Sequence, residues 1–439
     1  MFKETSKELL DFLSKSPTAF HAVENYRQIL NADGFKELLE SEHWDIVPGG
    51  KYYVTRNNTS ILAFKVGTKL DNYSFNIVTS HTDSPTFKVK ENAEIEVKNK
   101  YTQLNTEGYG GMLCATWLDR PLSIAGRVLV SEGNSIVTKL LNIDRDLLMI
   151  PNVAIHMNRA ANDGFKYNLQ VDMLPLLSAG DDRQKDFKQI LADELGVKKE
   201  DILGHDLYLY NRMAPSIWGA NEEFISAGHL DDLQCGFASL KALLAGYNDE
   251  SIDIMACFDN EEVGSGTKQG ADSTLLRDTL TRINSALGKT EEDYYRALAS
   301  SFMLSSDNAH AVHPNHPEHT DATNCTYMNE GVVVKSHPGQ KYTSDCVSMA
   351  VVKALASGAD VPLQYFANRS DKAGGSTLGN IAMAQASMNA VDIGLPQLAM
   401  HSSYETAGIK DTYYAISLMK ALFDSHIQET STHSLEIKR

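Results

Sequence analysis

Cysteine is scarce in this chain: five in 439 residues, odd in number and with no C-x-x-C spacing. That excludes a disulfide framework and a zinc knuckle, and it suits buried thiols in a reducing compartment. Long hydrophobic runs are missing too, since no stretch approaches the roughly 18 apolar residues of a membrane span. The opening Met-Phe-Lys-Glu-Thr-Ser-Lys-Glu is polar and lacks the apolar core of a signal peptide, so the expectation is a soluble, cytoplasmic protein with no membrane partner. Positive charge is in deficit, with 40 Lys plus Arg against 57 Asp plus Glu and a formal charge of −17. Such a surface repels phosphate backbones, so no nucleic acid partner is expected. Also absent are the Gly-x-Ser-x-Gly elbow, the Walker loop and G-x-G-x-x-G; Gly264-Ser265-Gly266 reads as a turn.

What is present is the material of a large globular protein, 42% hydrophobic and 22% charged, long enough for two or three domains. The first forty residues have helical periodicity, with Leu9, Phe12 and Leu13, then Phe20, Val23, Tyr26 and Ile29. Short strand-like runs follow, ending with Phe75-Asn76-Ile77-Val78. Residues 92–217 change texture to short alternating strands with one helix at 186–195, which reads as an inserted, largely β domain. From Leu230 onward helices alternate with apolar runs at 252–258, 302–304 and 332–334. That alternation predicts an α/β fold with a mixed, mostly parallel sheet covered by helices on both faces. The expected division is a discontinuous domain of residues 1–91 and 218–439 carrying the 92–217 insertion.

Acidic and histidine residues gather just after the predicted strands, where α/β sheets place their sites. Strand 75–79 leads to His81-x-Asp83, strand 252–258 to Asp259-Asn260-Glu261-Glu262, strand 302–305 to Ser306-Asp307, and 397–400 to His401. Asp231 and Asp232 open the helix expected at 230–247, where they also suit a helix cap. Imidazoles with carboxylates and no thiolates suit zinc, manganese or cobalt. A pair of metals about 3.5–4 Å apart needs one bridging carboxylate. Asp231 can bridge, with His81 and Asp307 on one metal and Glu262 and His401 on the other. Glu261 then stays free to take a proton from water, and Asp83 can orient His81 through its ring N–H.

The stretches Ser80-His81-Thr82-Asp83-Ser84-Pro85, Leu230-Asp231-Asp232-Leu233, Asp259-Asn260-Glu261-Glu262-Val263-Gly264-Ser265, Ser306-Asp307-Asn308-Ala309-His310-Ala311-Val312-His313-Pro314 and Pro396-Gln397-Leu398-Ala399-Met400-His401-Ser402 resemble, in order, the motifs of the aspartyl aminopeptidase and vacuolar aminopeptidase I family. Thr116-Trp117-Leu118-Asp119-Arg120-Pro121-Leu122 and Val153-Ala154-Ile155-His156-Met157 resemble that family's dimerisation domain. The resemblance implies a zinc-exopeptidase-like fold and a dizinc aminopeptidase that takes single residues from free peptide N-termini. It also implies His81, Asp231, Glu262, Asp307 and His401 as metal ligands and Glu261 as general base and acid. By the same resemblance His156 serves the neighbouring protomer's site, close to the metals without ligating them, and dimers build a tetrahedral dodecamer. The turn Gly374-Gly375-Ser376-Thr377 resembles the substrate loop. Acid-selective members have a lysine in the stretch matching 337–342, where this chain has Gly339 with Lys341 nearby. Acidic and neutral first residues therefore both stay open.

His310, His313, His316 and His319 recur every third residue, but Pro314 and Pro317 break a helix there. The spacing is therefore expected not to align the rings into a further metal site, and His310 is expected to support Asp307. Cys235 and Cys257 are expected to be core thiols. Two other readings of the same fold are a catalytically silent shell protein and a deblocking or endo-acting peptidase. A silent protein has no physical need for carboxylates that repel one another around one point.

Overall fold

The computed structural model describes residues 1–432 and 434–438. Its largest sheet has nine strands, of which the central four are Ser251–Phe258, Ser74–His81, Phe302–Ser306 and Asn389–Gly394, all mutually parallel. Antiparallel neighbours flank them: Ser60–Val66 beside Ser251–Phe258, and Val332–Lys335 beside Asn389–Gly394. The sheet is thus mixed and mostly parallel, as the helix–strand alternation predicts.

Both faces of the central strands are apolar, and alternate residues feed two cores. Ile61, Ala63, Val78, Met255 and Cys257 pack on one side against the helices Phe2–Ser14, Ala19–Ala32, Leu230–Ala245 and Asp411–Phe423. Leu62, Phe64, Ile77, Ile254 and Phe258 pack on the other against Leu275–Ala286 and Leu378–Gln385. Each fully buried side chain of this size contributes roughly 1.5–3 kcal/mol, so the strands are held at fixed height and their ends are fixed in space.

A second, wholly antiparallel sheet runs in the order Ser135–Asn142, Leu122–Glu132, Ile202–Asn211, Thr86–Val97, Tyr101–Tyr109, Leu176–Ala179. It has its own core around Phe87, Trp117, Ile124 and Leu209. The helix Phe187–Leu195 packs there, with Asp186 accepting the Gln189 N–H as its cap. Thr86–Val97 follows five residues after the main-sheet strand Ser74–His81 and pairs with Tyr101–Tyr109 from its first residue, so the chain enters this sheet at Thr86.

A third sheet joins Ser216–Trp218, Phe224–Ala227, Glu405–Gly408, Pro396–Leu398 and Ala309–His310. The strand before His401 therefore lies outside the main sheet, because it pairs with Ala309–His310 and Glu405–Gly408 instead. Cys235 and Cys257 are core thiols as expected, but the other three cysteines are not all buried. Cys114 and Cys325 are half-buried and Cys346 is exposed. No described helix is long and apolar enough to cross a membrane.

Candidate metal centre

Three neighbouring strands deliver carboxylate and imidazole to the same edge. His81 ends Ser74–His81 in register with Phe258, so Glu261 and Glu262 follow one short turn beyond it. Asp307 follows Phe302–Ser306 on the other side. Asn260 makes the turn with a φ of 63°, a conformation Asn tolerates, and Glu261–Val263 is a 3₁₀ turn. Asp231 and His401 each follow a strand of the third sheet, Phe224–Ala227 and Pro396–Leu398 respectively. Asp231 sits at the start of Leu230–Ala245 with non-helical dihedrals, and its peptide to Asp232 is cis.

These residues form two overlapping groups: His81, Asp231 and Asp307, and Asp231, Glu262 and His401. Within each, one ligand atom per residue lies within 4.8 Å of the others. Asp231 belongs to both. Its Oδ1 is 3.4 Å from His81 Nε2 and its Oδ2 is 3.5 Å from His401 Nε2, so its two oxygens face opposite halves. His401 Nε2 is also 3.4 Å from Glu262 Oε2. Glu261 lies with His81 and Glu262 in a third group.

Both rings turn Nε2 inward because Nδ1 is engaged elsewhere. His81 Nδ1 is 3.1 Å from the Asp83 carbonyl oxygen and 3.4 Å from its carboxylate. His401 Nδ1 is 2.8 Å from the carbonyl of Gly111. A ring held this way presents one fixed nitrogen to a cation. The Asp83 carboxylate does more than orient His81. It accepts the N–H groups of Glu261 and Glu262 at 3.1 and 3.2 Å and the Tyr109 hydroxyl at 2.6 Å. Gly110 follows, where a Cβ would stand 3.1 Å from Cβ of Glu262, so glycine keeps this approach open.

The electrostatics are those of a crowded acidic centre. Burial works against the charge on Asp231, but the imidazoles of His401 and His81 beside it hold it below the usual carboxylate range. Glu262 and Asp307 go the other way, pushed up by burial with Asp231 adding to the rise. Burial also lifts Glu261 to about 7, with His81 opposing and Asp307, Asp83 and Asp231 reinforcing. Asp231 Oδ1, Asp232 Oδ1 and Glu262 Oε1 are buried without a hydrogen-bond partner. Orphaned anionic oxygens beside two aimed imidazole nitrogens are the donor set of borderline divalent cations, so these residues fit metal.

The other expected site residues are not among these groups. His156 is exposed in the segment after Ile150 and belongs to none of the metal-capable groups among the described residues. Gly375 and Ser376 are exposed before the helix Leu378–Gln385. Lys341 reaches that loop, and its ammonium donates to the Gly374 carbonyl at 2.7 Å. The expected support of Asp307 by His310 is not what the structure shows. The His310 ring packs against Phe366, whereas buried Lys335 places Nζ 4.0 Å from Asp307 Oδ1 and donates to the Asn308 carbonyl.

Sequence reasoning missed Lys335, Tyr109 and above all Glu405. Buried Glu405 accepts the N–H of Asp231 at 2.9 Å with one oxygen and that of His401 at 2.8 Å with the other. The signal for Lys335 is a lysine closing the apolar run Val332-Val333-Val334. Nothing local marks Glu405, which lies 174 residues from Asp231.

Comparison with known proteins agrees with this geometry. The family described as Aminopeptidase I zinc metalloprotease (M18) matches residues 12–423. A Clostridium novyi (strain NT) protein, "Probable M18 family aminopeptidase 2", is 48% identical over 425 residues, 95% of this chain and 98% of the relative. Ape4 in its cryo-EM complex with Nbr1 superimposes with a TM-score of 0.92 at 35% identity, covering 96% of this chain and 86% of that one. The S. cerevisiae mApe1 dodecamer gives 0.84 at 28%, covering 96% and 97%. With the match spanning both halves of the cage, this chain belongs to the M18 family of zinc metallo-aminopeptidases.

Proposed function

We propose that this member removes single N-terminal residues from peptides with a free amine, using two divalent metals per subunit, zinc first and manganese or cobalt as alternatives. The position of Asp231, shared between two three-residue groups with one oxygen toward each, carries this reading. His81 and Asp307 would hold one ion, Glu262 and His401 the other, and Asp231 both. Such a pair supplies Lewis acidity that polarises the scissile carbonyl and acidifies water.

The remaining work belongs to the chain. Glu261, lifted by burial to about 7, accepts a proton from the attacking water and returns it to the leaving amine nitrogen. Asp83 fixes that carboxylate's backbone and the His81 ring together. His156, exposed in one protomer, supports the developing oxyanion in its neighbour. Gly375, Ser376 and Lys341 line the approach of the substrate backbone. Assembly from dimers into a tetrahedral dodecamer is the matching quaternary reading, supported by the mApe1 dodecamer. A reducing, cytoplasmic setting suits five free cysteines.

Release of free amino acid from a panel of dipeptides, with and without chelator and re-added metal, tests this function. The expected result is metal-dependent release that an N-acetyl group abolishes, and the ranking of Asp against Leu substrates sets the preferred residue. Metal-loaded, assembled protein that releases nothing would bring the silent-shell reading forward, and cleavage of the acetylated peptides the deblocking one.

A further inference from the structure

The histidines beyond Asp307 do not behave as their prolines suggest. Pro317 is the first residue of a 3₁₀ turn, Pro317–His319, where a missing N–H is harmless. A 3₁₀ turn has three residues per turn, so side chains at i and i+3 eclipse. His316 and His319 accordingly stack, their ring centroids 5.5 Å apart and their planes 29° from parallel. Glu318 adds a carboxylate whose Oε1 is 3.1 Å from His316 Nδ1. One ligand atom from each of the three lies within 4.8 Å of the others.

We propose that His316, Glu318 and His319 form a surface site for a borderline divalent cation such as zinc, cobalt, nickel or copper, distinct from the buried cage. Two imidazoles and a carboxylate are three of the four ligands a tetrahedral zinc takes, and an exposed site leaves the fourth to water. A histidine–glutamate ion pair explains the 3.1 Å contact alone, but not a second imidazole stacked on the first. The backbone is set for the purpose. The His319 N–H donates to the His316 carbonyl at 3.2 Å, Thr320 donates to the Pro317 carbonyl through both N–H and hydroxyl, and Arg369 donates to the Glu318 carbonyl. Arg369 thereby ties the turn to the segment that leads into Gly374 and Gly375. His313 lies 5.3 Å from His316 with its ring tilted 38° but falls outside the trio, and its Nδ1 accepts the Asn315 N–H.

Zinc per chain, measured by elemental mass spectrometry on the full-length protein equilibrated with excess zinc, tests the site. Wild type is expected to hold about one equivalent more than the double variant His316→Gln, His319→Gln. His313→Gln is expected to keep the wild-type count, and Glu318→Gln to lose the same equivalent, which serves also where the double variant folds poorly. Equal zinc in wild type and the double variant, or an equal loss in His313→Gln, overturns the proposal. Because the cage residues are untouched, this count is independent of peptidase activity.

Discussion

Glu405 grips the backbone of Asp231, accepting its N–H at 2.9 Å with one oxygen while the other takes the N–H of His401 at 2.8 Å. One buried carboxylate therefore sets the height of two cage residues from different loops. Burial and Asp231 push its carboxyl up to about 8, and the two accepted N–H bonds pull it back down. Glutamine cannot replace it, because an amide offers one acceptor and turns its NH₂ against the other N–H. Glu405→Gln is expected to weaken metal affinity by about 10–100-fold. A chelator titration monitored by residual bound zinc checks it, and unchanged affinity would remove Glu405 from this role.

His156 makes a different prediction, since it belongs to none of its own chain's metal-capable groups. His156→Phe is expected to leave zinc content intact and to lower turnover on the order of 100-fold. Mixed assemblies of His156→Phe and Glu261→Gln subunits should regain activity, because each supplies what its neighbour lacks. Loss of a full zinc equivalent in His156→Phe would make it a ligand, and no regain in the mixture would place its action within one chain.

Away from the site, acid sensitivity is expected from His21. It sits in Ala19–Ala32 with Nδ1 2.8 Å from Thr18 Oγ1, and burial lowers it from 6.5 to about 4, with Glu24 opposing. The unfolded chain takes up this proton from about pH 6.5 downward, whereas the folded chain resists until about 4. Its contribution is therefore full above 6.5 and is lost as pH falls through that window, by about 2 kcal/mol after allowance for partial exposure. Urea midpoints of wild type and His21→Gln from pH 7 to 4 should show a smaller decline in the variant. Parallel declines would contradict the assignment.

The legible parts of the site are those with a local cause. His81 ends and Asp307 follows a strand buried along its whole length and rich in apolar residues at its start, so their placement at a sheet edge follows from the run that precedes them. Asp231 and His401 are recognisable as motifs, but their route is not. Both arrive from the small third sheet, whose strands of two to four residues carry too little periodicity to read. Glu405, Gly111 and Tyr109 are invisible for a related reason. Each acts on a residue more than twenty positions away, through contacts that exist only once the sheets have met. The alignment of the His316 and His319 rings is unreadable for a more specific reason: proline breaks an α-helix in its interior, yet it starts a 3₁₀ turn without cost.

Glu261→Gln, with activity, metal content and assembly size measured on the same preparation, is the sharpest test of Glu261 as the proton acceptor. The change keeps shape and burial while removing the proton acceptor beside the cage. Unchanged zinc and unchanged assembly are expected, with turnover on free-amine dipeptides lowered by about 10²–10⁴-fold. Turnover near the wild-type level in a metal-loaded, assembled Glu261→Gln would contradict that role.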